Sequence, residues 1–330
     1  MSEAGYSISG DVLIADSGEL YLSGGRHSVL QSARDTSRID PKSIETFGEN
    51  LASRRAFSKQ MNATFIQLVA PEKYKVYPRG FPIANPASPA DRYLQAGLEF
   101  VYPVKELRAE RGGRTYPATD THWAPHGLIR IVRLLAEEAG FGPDAVDRAA
   151  TEMADALVPN MEMWYGDLGR KLDPKRGEFM PRLQVKHPLT VVENGIQHDY
   201  NSTVNDGRLI IGNSGRNGAR KTILIFGDSY LHHAIPYLSY FFGRVIFCRT
   251  RFYHEEMVFM AKPDVIVSQC AERYLGRVFP DKAAPPFLLF PNLLGRTIAP
   301  TAAAIQAMAT ALSRGRDVDF APFPSQAKPK

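Results

Sequence analysis

Three side chains in two short segments have the types needed for acyl transfer. Asp120 and His122 lie in Tyr116-Pro117-Ala118-Thr119-Asp120-Thr121-His122-Trp123, and Ser229 closes Phe226-Gly227-Asp228-Ser229 far downstream. A serine hydroxyl is a weak nucleophile until a base removes its proton, and an imidazole does this best when a carboxylate fixes its tautomer. An aspartate two residues before a histidine can orient one ring nitrogen while the other faces the serine. Each residue also has an ordinary structural use. Ser229 suits a helix N-cap, His122 could pack beside Trp123, and Asp120 could cap the next helix, although it lies early for that role. The two segments together favour nucleophile and base for Ser229 and His122.

The surrounding elements must bring these groups to one edge. Ile223-Leu224-Ile225-Phe226 is too apolar for a surface loop and predicts a buried strand, and Gly227 permits a sharp turn. A helix is expected next, with Leu231, Ala234, Ile235, Leu238 and Phe242 on one face and a kink at Pro236. Ser229 would then stand at the rim of a sheet, beside free helix N–H groups able to stabilise an oxyanion. The Asp120 segment precedes another helix, with Leu128, Ile131, Val132 and Leu135 as its apolar stripe, Pro125 in its first turn and Gly140 at its stop. His122 and His126 have the i, i+4 spacing of a zinc pair, with Asp120 as a third ligand. Pro125 starts the helix between them, and the glutamate of a His-Glu-x-x-His motif is absent, so no metal is expected. In the adjacent pair His232-His233, one ring is expected to pack and the other to be exposed.

Gly227-Asp228-Ser229 after a strand resembles the first block of the SGNH hydrolases, and Pro263–Gln269 resembles the strand carrying their third block. The aspartate–histidine block usually comes last, whereas here it precedes the serine. In that permuted order the chain resembles the AlgX/AlgJ family of polysaccharide O-acetyltransferases. Val69-Ala70-Pro71-Glu72-Lys73 with Tyr77, Gly166-Asp167-Leu168, and the run from Pro263 through Glu272-Arg273-Tyr274-Leu275 are similar to further family segments. The resemblance extends over residues 12 to 275 or so.

The resemblance implies an α/β, three-layer SGNH hydrolase-like fold with a central parallel sheet, circularly permuted and carrying a β-rich insertion. It implies Ser229, His122 and Asp120 as catalytic residues, with Asp228 shaping the turn. It also implies serine-dependent O-acetyl transfer to polysaccharide hydroxyls through an acyl-enzyme, without a cofactor, the acyl group coming from a membrane-bound O-acyltransferase partner. The same triad with water as acceptor would be a carbohydrate esterase. A non-catalytic glycan-binding or assembly protein is the third reading. The chain departs from the SGNH pattern at the third block, where Gln269-Cys270-Ala271-Glu272-Arg273 replaces Gly-x-Asn-Asp. Gln269 and Arg273 are therefore candidate oxyanion donors, with a structural Arg273–Glu272 pair as the alternative. Lys73 of the Pro-x-Lys segment is a further oxyanion or substrate candidate. Tyr116, Trp123, Trp164 and Tyr165 could stack on sugars or pack in the core, and only Trp123 gains from its position.

With 330 residues, 44% of them apolar, the chain can bury a large core. It reads as a single domain over residues 1–330, with a β-prone rim insertion at 160–218 and a loose, proline-containing tail at 320–330. No apolar run approaches the roughly twenty residues of a membrane span. Met1–Gly10 shows no signal peptide, which as given reads as cytoplasmic, whereas the resembled family usually works in the periplasm. Cys248 and Cys270 are expected as buried free thiols. The net charge of +5 decides little. Basic spots at Arg111–Arg114 and at Arg216, Arg220 and Lys221 suit an anionic glycan, or are solvated loop charges. No basic helix or zinc spacing points to nucleic acid.

The final third alternates strand and helix, which predicts a parallel sheet covered on both faces, and Phe287–Phe290 is expected to add a strand. Thr64–Val69 reads as another buried strand, ended by Pro71. Open sheets of this kind carry their sites at the carboxyl ends of strands, so His122 and Ser229 are expected to meet there.

Overall fold

The computed structural model describes residues 5–37, 39–196 and 207–313. Near the N-terminus β1 (Tyr6–Ser9), β2 (Val12–Ala15) and β3 (Leu20–Leu22) form a small antiparallel sheet. Then follow β4 (Thr64–Ala70), the two-stranded ribbon of β5 (Leu157–Val158) and β6 (Arg182–Leu183), β7 (Leu189–Glu193), β8 (Leu209–Ser214), β9 (Thr222–Gly227), β10 (Arg244–Arg249) and β11 (Val265–Ala271). The central sheet has six strands in the order β4-β11-β9-β10-β8-β7. The first four run parallel, β8 is antiparallel to β10, and β7 is antiparallel to β8. The fold is thus α/β with a mixed, mostly parallel sheet.

Side-chain alternation along these strands builds two separate cores. Ile223, Ile225, Val245, Phe247, Val265 and Val267 face one side, packed with the helices Pro125–Glu138 and Pro143–Asp155. Leu224, Phe226, Ile246, Cys248 and Ile266 face the other, against the helices Glu255–Ala261 and Ala302–Leu312. A strand buried on both faces reads as a continuous apolar run, which is why β9 was legible. In the helix Pro125–Glu138 the expected stripe of Leu128, Ile131, Val132 and Leu135 is buried, and Gly140 follows at φ +74°. Each such side chain contributes about 1.5–3 kcal/mol when fully removed from water. The long helix Pro41–Gln60 covers the β4 end of the sheet, and the Asp40 side chain caps it through the Lys42 N–H.

Several expectations change. Of the 160–218 stretch expected on the rim, β7 and β8 are strands of the central sheet, with Leu209–Gly212 buried. Strand pairing is non-local, so a short apolar run does not announce which edge it will join. Phe287–Phe290 forms no strand: Phe287–Leu289 is a 3₁₀ turn leading into the helix Phe290–Leu293, between Pro286 and Pro291. The helix after Ser229 breaks into Ser229–His232 and Ile235–Leu238, with Pro236 in the first turn of the second. The tail at 320–330 and residues 197–206 of the 160–218 stretch lie outside the described residues. Cys248 is buried and Cys270 partly so, both as free thiols. Among the described residues no helix is long and apolar enough to cross a membrane.

Candidate functional site

β9 ends at Gly227, and the next residues turn into a short helix whose first residue is Ser229. Asp228 shapes that turn. One of its carboxylate oxygens accepts the Tyr230 N–H at 3.0 Å and the other accepts the Ala271 N–H at 2.6 Å, tying the turn to the end of β11. Both oxygens are thus used by the backbone.

The Asp120 segment meets this turn from across the fold. His122 Nε2 lies 2.7 Å from Ser229 Oγ, and His122 Nδ1 lies 2.7 Å from Asp120 Oδ1. Asp120 Oδ1 also accepts the His122 N–H at 2.6 Å, and its Oδ2 accepts the Asp167 N–H at 2.7 Å. The ring sits against Tyr230, whose hydroxyl donates to Thr121 O at 2.7 Å. His122 keeps 18% of its side chain exposed and Ser229 is half-buried, so both remain reachable. This continuous chain of hydrogen bonds can take a proton from the serine hydroxyl and hold the resulting imidazolium.

Electrostatics reinforce the arrangement. Burial works against ionised Asp120, yet the hydrogen bond and charge of His122, with two backbone N–H donors, pull its pKa down to about 2. Burial would lower the His122 pKa, but the Asp120 hydrogen bond and charge, with the Asp167 charge behind, hold it above the ordinary imidazole value. Nearby His232, partly buried, is pushed the other way by burial, down to about 3. A base that must be neutral to act is blocked by protonation, so any Ser229-dependent turnover should fall on acidification at a pH above that of a free imidazole. Asp120→Asn removes the group that stabilises the cation, so the acid limb of the pH–rate profile is expected to move to lower pH while the maximal rate drops. A limb that stays in place would detach Asp120 from the titrating group.

Two residues outside the expected set complete this corner. The Asp167 carboxylate accepts the Thr121 N–H at 2.8 Å and the Thr121 hydroxyl at 2.6 Å, and lies 3.8 Å from His122 Nδ1. Glu178 accepts the N–H groups of Ala118 and Thr119 and the Thr119 hydroxyl. The only sequence signal for Asp167 was the short Gly166-Asp167-Leu168 segment, and Glu178 had none. Gly166 is needed for close approach, since a Cβ there would come within 2.2 Å of Thr119 O. Asp167, not His126, joins Asp120 and His122 as a group of close ligand-type atoms. These atoms are already engaged with one another, Thr121 and Ser229, while His126 packs over Gly112 and Gly113.

The remaining candidates separate. Lys73 is 3% exposed, and its ammonium donates to the carbonyls of Leu20, Pro117 and Ala118 and pairs with Glu19 at 3.0 Å. It is a clamp between β3 and the Asp120 segment, with no donor left for a substrate. Tyr116 and Trp123 are core residues, 0% and 4% exposed; the Trp123 indole donates to the Tyr116 hydroxyl, which donates to Pro71 O. Trp164 is half-buried and Tyr165 exposed. The Arg273–Glu272 pair, the alternative to a donor role for Arg273, does not form. Arg273 pairs with Glu72 at 2.7 Å, and Glu272 accepts the Glu72 N–H and the hydroxyls of Tyr102 and Ser88. Gln269 differs: its Oε1 accepts the Asp228 N–H at 3.0 Å, and its buried Nε2, beside the Ser229 turn, has no hydrogen-bond partner among the described residues. Of the basic spots, Arg114 pairs with Glu19 and Arg216 with Glu152.

No family model matches the chain, and no curated protein matches it either. Solved structures do. A DHHW family protein from Eubacterium siraeum superposes with a TM-score of 0.54 at 13% identity, over 82% of this chain and 94% of that one. Bacillus cereus PatB1 gives a TM-score of 0.53 at 15% identity, over 82% and 96%. The same protein with a sulfonyl adduct gives 0.53 at 12% identity, over 82% and 97%. Identities this low speak to backbone arrangement alone, and on that ground the chain shares the α/β fold of these structures.

Proposed function

We propose that this protein is a serine-dependent O-acyltransferase, acetylating hydroxyls of a polysaccharide. The observation that carries the reading is the unbroken contact from Asp120 through His122 to Ser229, 2.7 Å at each step. His122 takes the Ser229 proton as Oγ attacks the acyl carbonyl of a donor ester, and returns it to the leaving group as the tetrahedral intermediate collapses. In the second half His122 takes the proton of a sugar hydroxyl as its oxygen attacks the acyl-enzyme carbonyl, and returns that proton to Ser229 Oγ as the Oγ–acyl bond breaks. The oxyanion is served by the Ser229 N–H, which as the first helical residue has no intrahelical partner, and by Gln269 Nε2. The acyl group reaches the site from a membrane-bound acyltransferase partner, as the sequence resemblance implies.

The half-buried serine favours a second outcome in the absence of a sugar. Water reaches the same acyl-enzyme, so the protein also acts as an esterase. A purely glycan-binding role would give no reason to keep His122 aligned on both ring nitrogens. Intact mass measurement after treatment with a sulfonyl fluoride, and separately with a chromogenic acetyl ester, tests the chemistry. A single adduct on the Ser229 peptide is expected from each. Adding candidate polysaccharides to the acetyl-enzyme then separates acetylated glycan from free acetate. Labelling elsewhere, or none, would remove the reading.

A further inference from the structure

Beside the Ser229 turn lies a cleft of about 810 Å³ at the carboxyl edge of the sheet, lined there by Gly227, Asp228 and Gln269. Its walls carry Lys171, Arg249, Arg251, Arg273 and Arg277, with Asp11 and Asp228 as the acidic residues. Neither acid is free to offset Arg249. Asp228 is taken up by two backbone N–H groups, and Asp11 accepts the Gly25 N–H and lies 3.8 Å from Lys171. Arg273 has its partner in Glu72. Arg249 has none: among the described residues no carboxylate pairs with it, although it is only partly exposed. It ends β10 directly opposite Gly227 in the parallel register, two residues from Ser229. Arg251 and Arg277 both lie over the Phe279 ring, at 5.5 and 5.0 Å from its centroid, which holds two planar guanidiniums in the cleft lining. Like charges gathered in a concave site, with one half-buried and unpaired, cost stability unless an anion enters.

We propose that this cleft is an anion-holding subsite for the substrate that reacts at Ser229. It takes a carboxylate or phosphate oxyanion, with Arg249 as the principal contact and Arg277 as a second. The proposal rests on the acyl-transfer reading, because Gly227 and Asp228, the two residues before Ser229, line the cleft. A substrate with its carbonyl at Ser229 and Gln269 would extend its anionic group along the cleft toward the arginines. Guanidinium is suited to this, since its planar fork matches both oxyanions. The anion could belong to the acceptor, as the carboxylate of an acidic sugar, or to the acyl donor, as a phosphate ester.

Calorimetric titration of the full chain distinguishes these sources without requiring turnover. The probes are an oligouronate, a neutral oligosaccharide of equal length, and coenzyme A. One anionic probe is expected to bind at least about tenfold tighter than the neutral sugar, the scale of one charge-assisted contact, and to weaken as salt rises. Arg249→Gln should lose roughly that factor, and the exposed Arg277→Gln, which disturbs no packing core, a smaller part of it. Preference for the oligouronate assigns the anion to the acceptor, and preference for coenzyme A assigns it to the donor. If neither anion outbinds the neutral sugar, or if both variants bind as the parent does, the subsite is wrong. Ser229→Ala should bind the preferred probe unchanged, so failed serine labelling with intact anion binding would overturn the acyl-transfer reading and leave the subsite standing.

Discussion

Ser229→Ala is expected to lower acyl turnover by about four orders of magnitude or more while leaving the melting temperature nearly unchanged. The hydroxyl makes one side-chain contact, to His122 Nε2, and the helix it opens is capped by Asp228 and not by the serine. Removing it therefore costs the nucleophile and little packing. In hydrolytic triads the loss of the nucleophile abolishes nearly all of the covalent route, and what remains comes from binding and oxyanion stabilisation. Steady-state turnover of an acetyl ester with circular dichroism on the same samples reads both quantities. Full activity with a native spectrum would refute the assignment of Ser229. His122→Ala should match it in direction, and the double variant should be scarcely slower than either single one, because the two groups act as a unit.

Lys73→Met is expected to destabilise the protein by about 3 kcal/mol or more, and to lose activity as a consequence. The ammonium sits 3% exposed, where burial depresses its pKa and Glu19 restores part of the shift. It satisfies the carbonyls of Leu20, Pro117 and Ala118 in one cluster. Methionine has a similar volume, so the cavity penalty is small and the cost comes from stranded polar groups, the three carbonyls above all, since Glu19 keeps Arg114. Pro117 and Ala118 lie just before Asp120, so loosening them should also disorder the His122 contact. Denaturant titration with turnover distinguishes the two roles open to a lysine here. A substrate-contacting lysine would raise KM without shifting the unfolding midpoint. A clamp shifts the midpoint, and activity should recover partly when the protein is kept well below its melting temperature.

Much of the framework was legible because it depends on local pattern. The stripe Leu128, Ile131, Val132 and Leu135 has helical spacing, the run Ile223–Phe226 has the continuous apolarity of a strand covered on both faces, and Gly227-Asp228-Ser229 and Asp120-Thr121-His122 are contiguous in the chain. Those features suffice for the α/β class and for placing the serine, the histidine and the aspartate at element ends. The run Phe287–Phe290 shows where the pattern stops informing, since four apolar residues fit a strand or a turn equally well and the flanking prolines decided for the turn.

What the chain's own order could not determine was which distant groups would converge. Lys73 was read from its neighbours in sequence, but its partners are residues 19, 20, 117 and 118, from two other segments. Tyr116 and Trp123 have the composition of a sugar platform and the burial of a core, because exposure is set by the packing of Tyr230 and Pro71 against them. Asp167 and Glu178 hold the Asp120 segment from a loop some fifty positions away, so no spacing rule could have shown them. The joining of β7 and β8 to the central sheet and the convergence of the cleft arginines beside Ser229 are likewise tertiary outcomes. The residue types able to do the chemistry are written locally, because reactivity belongs to the side chain. Their partners, burial and charge environment belong to the fold, because hydrogen bonds and desolvation act across space and not along the chain.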